Sequence, residues 1–210
     1  MNIMTQYLLT VAQYNLAHQQ MKKIAHALAT TQDRHVIAAV RGLAENELAT
    51  QLPARSVTQL TTMTDAAAGE AVLEELKPLV QPFGELTAKT VKALFKKDKK
   101  LKVPALALDY QALCYVAWDD SGSHRRYIIA EQNGTHYALK GVYANETIKG
   151  ICAICQQHQQ VALFTTKVKG KVMDTFTTHS NYICTDAVQC NTHITDTARM
   201  HDFFARIMQA

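Results

Sequence analysis

Four cysteines are spaced C-x2-C-x28-C-x5-C: Cys152, Cys155, Cys184 and Cys190. A C-x2-C pair puts two thiolates on one tetrahedral ion from a tight turn, at about 2.3 Å each, and zinc is the ion that such sets take. The second pair lies at the N-terminus of a helix and completes a treble-clef arrangement. Buried free cysteines are common in cores, but two neighbouring core thiols have no packing reason to recur at this spacing. Two histidines compete for a place, His179 five residues before Cys184 and His193 three after Cys190, and either can replace one thiolate. The all-cysteine set ranks first, because most of the nine histidines must be surface or cap residues. A closed set of four thiolates leaves no open position for water or substrate, so the ion is structural and not catalytic. Its binding contributes on the order of 10 kcal/mol to folding a domain of about 100 residues with a small core. Cys114, the remaining cysteine, lies on an apolar strand and reads as a small core residue.

The rest of the chain supplies the frame for that site. Its 210 residues fit one large or two small domains, and 48% hydrophobic with 19% charged residues excludes a disordered chain. No stretch approaches the roughly 18 apolar residues of a membrane span, and the N-terminus has no basic region of a signal peptide, so the expected compartment is the cytoplasm. Residues 1 to about 100 carry apolar residues at helical spacing. Tyr7, Val11, Tyr14, Met21, Ala25 and Leu28 form one stripe; Val36, Ile37, Val40, Leu43, Ala44 and Leu48 form a second after the cap Asp33. Further helices run from Ser56, through Val72 to Leu79, and from Leu86 to about Lys100, the last with Val91, Leu94 and Phe95 inward. Short connections imply an antiparallel bundle.

Beyond Pro104 the period changes. Leu113 to Trp118 is a strand, Asp119-Asp-Ser-Gly122 is turn chemistry, and Arg126 to Ala130 with Thr135 to Tyr143 flank Asn133-Gly134, the strongest short hairpin signal. A terminal helix from Asp196 to Met208 spaces Met200, Phe203, Phe204 and Ile207 helically. The expected fold is α+β: an N-terminal antiparallel helical bundle over 1–103, then a C-terminal α/β treble-clef zinc-binding domain over 104–210. With both cores filled no long apolar stripe is left over, and a monomer is expected.

Catalytic motifs are lacking: there is no nucleotide-binding glycine motif, no G-x-S-x-G and no H-E-x-x-H. The expectation is a protein that is not an enzyme; a thiol enzyme built on Cys114 lacks an identifiable partner base. Residues 89–102 hold seven lysines and one aspartate. Lys89, Lys92, Lys96, Lys97, Lys99, Lys100 and Lys102 read as a solvated helix face or as an electrostatic footprint for phosphate or an acidic protein. Apart from Phe95 the run lacks the interleaved aromatics that single-stranded nucleic acid favours.

Longer strings are more specific. Trp118, Arg125-Arg-Tyr-Ile-Ile129, Leu139-Lys-Gly-Val-Tyr143, Lys149-Gly-Ile-Cys-Ala-Ile-Cys155, Tyr182-Ile-Cys184, Asp186, Cys190-Asn191 and Thr195-Asp196 together resemble the elongation factor G-binding protein family, the FusB type linked to fusidic acid resistance. The segment Val91 to Pro104 resembles that family's end-of-bundle stretch. The resemblance implies a helical bundle followed by a treble-clef zinc domain. It implies a function too: the second domain grips elongation factor G and promotes its release from the ribosome, so that translocation continues when fusidic acid has stalled the factor. Zinc ligands carry over onto Cys152, Cys155, Cys184 and Cys190, and partner contacts onto Ile151, His179, Tyr182 and Phe203. Two of these depart from the family pattern, which has an aromatic where Ile151 stands and a lysine where His179 stands. The rival reading is a zinc-containing RNA- or ribosome-binding module that uses the Lys89–Lys102 patch.

Overall fold

The computed structural model describes residues 8–96, 98, 101, 103, 108–169 and 175–208. It divides into two compact units, Met1–Pro82 and Phe83–Ala210.

The first unit is helical, with α1 at Val11–Thr30, α2 at Arg34–Leu48, α3 at Ala54–Thr62 and α4 at Ala66–Leu76. Thr10 opens α1 with a capping box: its hydroxyl accepts from the Gln13 amide at 3.2 Å, and the Gln13 side chain accepts from the Thr10 amide at 2.8 Å. Asp33 caps α2 in the expected way, accepting from the His35 amide at 2.8 Å. The core face of α1 is set by Ala17, Met21, Ile24 and Ala27; of the predicted stripe, Tyr7 lies outside the described residues and Tyr14, Ala25 and Leu28 are only half-buried. The six-residue apolar face expected for α2 is corrected more strongly. Only Ala44 and Leu48 are buried, and Leu43 is 65% exposed. Helical periodicity identifies a face, but whether that face finds a partner depends on how many neighbours the unit supplies.

The second unit is built on a five-stranded antiparallel meander, β1 (Tyr115–Asp120), β2 (Arg125–Gln132), β3 (Thr135–Ile151), β4 (His158–Lys169) and β5 (Phe176–Cys184), in that spatial order. Asn133 and Gly134 take φ of 52° and 73°, both left-handed as the two-residue hairpin turn between β2 and β3 requires. Short α5 (Ala88–Leu94) precedes the sheet, and α6 (Ala187–Thr192) and α7 (Ala198–Met208) follow it. Asp119 and Asp120 belong to β1 instead of the turn, which starts at Ser121.

The division falls at Pro82/Phe83, whereas the sequence reading sets it near Val103-Pro104. Phe83, Leu86, Val91 and Phe95 bury themselves in one cluster with Leu113, Val116, Tyr127 and Ile129 of the sheet. Moreover, the Phe83 amide donates to the Tyr110 carbonyl at 2.8 Å. The apolar stripe of α5 therefore completes the sheet's core. Within the lysine run, Lys89, Lys92 and Lys96 are exposed, and Lys97, Lys99, Lys100 and Lys102 lie outside the described residues. The run's one acid, Asp98, accepts from the Tyr127 hydroxyl at 2.6 Å and from Lys140 at 3.2 Å. The Tyr127 bond, helped by Lys140 and Arg125, holds the Asp98 carboxyl below its ordinary range against the opposing effect of burial.

Gly141, in the middle of β3, leaves room for its neighbours. A Cβ there would stand 2.5 Å from the Thr165 carbonyl oxygen and 2.6 Å from the Phe164 ring. Backbone at that distance cannot yield without distorting the sheet, so Gly141→Ala is expected to cost about 1–3 kcal/mol, despite alanine's smaller backbone entropy loss on folding. Denaturant unfolding of the zinc-loaded protein measures it; unchanged stability would show that the strands separate freely.

Candidate metal centre

The four cysteines converge from two corners of the second unit. β3 ends at Ile151, and the chain reverses through Cys152–Cys155 before β4 begins at His158. That turn is closed by the Gln156 amide donating to the Cys152 carbonyl at 2.9 Å and the Cys152 amide to the Gln157 carbonyl at 3.0 Å. Gln156 accordingly sits in the left-handed region, at φ of 58°. At the second corner Cys184 ends β5, opposite Val161 of β4. Asp186 then caps α6, its carboxylate accepting from the Val188 and Gln189 amides at 2.8 and 3.0 Å, which sets Cys190 one helical turn in.

The four sulfurs lie within 4.8 Å of one another, and all four residues are buried. Cys152 Sγ and Cys190 Sγ are 3.8 Å apart, Cys155 Sγ and Cys184 Sγ 3.7 Å. A tetrahedron with zinc–sulfur bonds of about 2.3 Å has edges of about 3.8 Å, so the donor set fits zinc in size as well as in softness. The Ile154 and Cys184 amides both donate to Cys152 Sγ, at 3.3 Å each, which suits a thiolate. Without a cation the four thiols cannot all ionise. Hydrogen bonds with Cys155, Cys184 and Cys190 hold the Cys152 thiol far below its ordinary value. Contacts led by Cys152 push those of Cys184 and Cys190 up. A divalent ion removes the conflict.

Neither rival histidine joins the cluster, which among the described residues consists of the four cysteines. His179 is on β5 opposite Thr166, and five residues of extended chain put it about 16 Å from Cys184. His193 is the C-cap of α6. Cys114 is buried as expected, and burial raises its thiol to about 12, far from a reactive thiolate at neutral pH.

Two side chains beneath the centre carry structure that sequence reasoning passed over. Asn191 is buried and uses its whole amide: Oδ1 accepts from the Cys114 and Tyr115 amides at 2.6 and 3.1 Å, and Nδ2 donates to the Tyr115 and Ala187 carbonyls at 3.0 and 2.9 Å. It bolts α6 to the start of β1. Arg126, on β2, is 3% exposed. It donates to both carboxylate oxygens of Asp119 at 2.7 Å, to the Cys184 carbonyl at 2.6 Å and to the Thr185 carbonyl at 2.8 Å. The one available signal was an arginine at the head of the apolar strand segment Tyr127-Ile-Ile-Ala130, seven residues after an aspartate across a turn.

The residues expected to meet a partner separate. Ile151 is 64% exposed and Tyr182 44% exposed, and the two stand at the same corner, since the Ala153 amide donates to the Tyr182 carbonyl at 2.8 Å. His179 is half-buried. Phe203 is 1% exposed and meets Phe204 edge to face with ring centres 5.6 Å apart; both rings belong to the core. Val188, on α6 two residues before Cys190, is an exposed apolar residue that no sequence pattern marked.

This architecture matches known families along nearly its whole length. A model described as elongation factor G-binding protein, N-terminal, matches residues 8–84, and one described as FBP C-terminal treble-clef zinc-finger matches residues 87–206. The chain belongs to the FusB-type family of elongation factor G-binding proteins. The two matches meet next to the structural division at Pro82/Phe83. Comparison with curated protein sequences finds no match. Among solved structures, the fusidic acid resistance protein FusC is similar with a TM-score of 0.81 at 24% identity, over 96% of this chain and 98% of that one; the likeness extends the fold to both units. The ion of the four-sulfur site is zinc, and its role is structural.

Proposed function

We propose that this protein binds elongation factor G and promotes its release from the ribosome, which lets translocation continue where fusidic acid has stalled the factor. The observation that carries this reading is the match of both units to the elongation factor G-binding family. The exposed pair Ile151 and Tyr182 beside a closed zinc site supports it. The protein works by binding: four sulfurs around one ion leave no coordination position for a substrate. It acts as a monomer in the cytoplasm, where its partner works.

The docking surface is the corner where β3 and β5 meet the cysteine turn. Ile151 and Tyr182 are its anchors; His179, three residues before Tyr182 on β5, projects from the opposite face of the sheet and drops out. Zinc holds this corner rigid before the partner arrives, so little conformational entropy is lost on binding, and a tyrosine ring adds contact area at low rotamer cost. Phe203 drops out as an anchor because its ring is inside.

Titration calorimetry of the zinc-loaded protein with elongation factor G at micromolar concentration tests the reading. Tyr182→Ala is expected to weaken binding about 30-fold, the roughly 2 kcal/mol of a central aromatic anchor, with its melting temperature unchanged. Absence of heat for the unsubstituted protein would discard the function. Unchanged affinity of the variant would move the surface elsewhere.

A further inference from the structure

Arg126 is placed where a buried charge is costly, and nothing in the four-cysteine pattern calls for it. Cys184 is the last residue of β5 to pair with β4. Past it the Thr185 amide still meets β4, donating to the Gln160 carbonyl at 3.0 Å before the chain enters α6, and the carbonyls of Cys184 and Thr185 are served by side chains instead. Both accept from the Arg126 guanidinium, at 2.6 and 2.8 Å. The guanidinium is itself fixed: Asp119, its cross-strand neighbour in the β1–β2 register, takes it bidentately at 2.7 Å. The Tyr143 ring stacks under it with 3.8 Å from its carbon to the ring centre. The Tyr143 hydroxyl also donates to the Cys184 carbonyl, at 3.2 Å.

An apolar side chain would fill this space without the desolvation penalty of a buried guanidinium. It would leave the Thr185 carbonyl without its donor and the Cys184 carbonyl with the Tyr143 hydroxyl alone. Lysine keeps the charge but has a single nitrogen to offer to two carbonyls and a carboxylate, where arginine's planar fork serves all three at fixed angles. The corner held in this way is the one that joins two of the four zinc ligands, Cys184 before it and Cys190 in the helix after it.

We propose that Arg126 is the positioning residue of the zinc centre: by fixing the Cys184–Thr185 corner from beneath, it presets the Cys184 and Cys190 sulfurs and so sets how tightly the metal is held. The inference concerns the metal site alone. It stands or falls without elongation factor G.

The test uses full-length protein, loaded with zinc and challenged with a chromophoric chelator, and in parallel loaded with cobalt(II) as a spectroscopic substitute. In Arg126→Lys, zinc affinity is expected to fall 10- to 100-fold, the range for groups that orient metal ligands, and the cobalt bands to shift as the two sulfurs leave their tetrahedral places. Asp119→Asn frees the guanidinium without removing it and is expected to move zinc affinity and the cobalt bands in the same direction by less. Because the unit folds on its metal, a merely structural role would also lower apparent zinc affinity along with the melting temperature, so the cobalt spectrum decides: bands of the folded, loaded variants that match those of the unsubstituted protein overturn the proposal. If Arg126→Lys does not fold, Asp119→Asn decides: cobalt bands unchanged from those of the unsubstituted protein overturn the assignment, and shifted bands uphold it.

Discussion

Stripping the zinc, or replacing Cys152 with serine, is expected to unfold the Phe83–Ala210 unit. The structural reason is that both corners carrying the ligands are built on the metal. The four sulfurs occupy a single buried cluster, and two of the pairs stand 3.7 and 3.8 Å apart. Emptied of metal, this volume holds thiols that cannot ionise together, with no cation left to draw the four sulfurs into one cluster. Structural zinc sites contribute about 10–16 kcal/mol near neutral pH, as much as or more than the whole stability of a typical domain, about 5–15 kcal/mol. Thermal melting followed by circular dichroism, with and without a strong chelator, should show the sheet signal vanish while helical signal persists. Because the ligands bind zinc as thiolates, protons compete with the ion, so this stabilisation is present at neutral pH and lost as pH falls. A chelated protein that melts like the loaded one would remove zinc from the account of the fold.

Phe203→Ala carries the second-largest expected effect, and it bears on stability where the family pattern would assign binding. Met200, Phe203, Phe204 and Ile207 are all buried on α7, at the i, i+3, i+4, i+7 positions of one helical face. Emptying a phenylalanine site in such a core costs about 3–5 kcal/mol. Denaturant unfolding of the zinc-loaded protein should register that loss, whereas Tyr182→Ala should leave the same curve in place. A loss below about 1 kcal/mol at Phe203 would mean that α7 can turn its ring outward, and would return that residue to the docking surface.

Features whose chemistry or backbone geometry demands particular residues could be read directly. Thiolate spacing marked the metal centre because two ligands on one tight turn sit with two residues between them. Asn133-Gly134 marked the hairpin because the turn needs two left-handed residues, and the structure has both. Asp33 marked a helix start because an unpaired amide needs an acceptor. These are local requirements, settled within a few residues.

Other features depended on partners far away in the chain. The stripe of α5 was visible, yet whether it joined the helices before it or the sheet after it was settled by Phe83, Leu86, Val91 and Phe95 meeting Tyr127 and Ile129. The stripe of α2 was equally visible, yet Val36 and Leu43 stayed in solvent and Ile37 and Val40 were only half-buried. Tyr182 and Phe203 looked alike as candidate anchors until the alternation of β5 turned one ring outward and the face of α7 turned the other inward. Arg126 reaches carbonyls 58 and 59 residues ahead, a distance at which no local pattern operates. By itself, then, the sequence determined the identity of the ligands, the class of each half and the family, since residue type and short-range spacing carry that information. Which apolar faces are inside, where the two units divide and what holds the zinc corner in place were decided only by tertiary structure, because burial and buried polar pairing depend on neighbours that only the folded chain brings together.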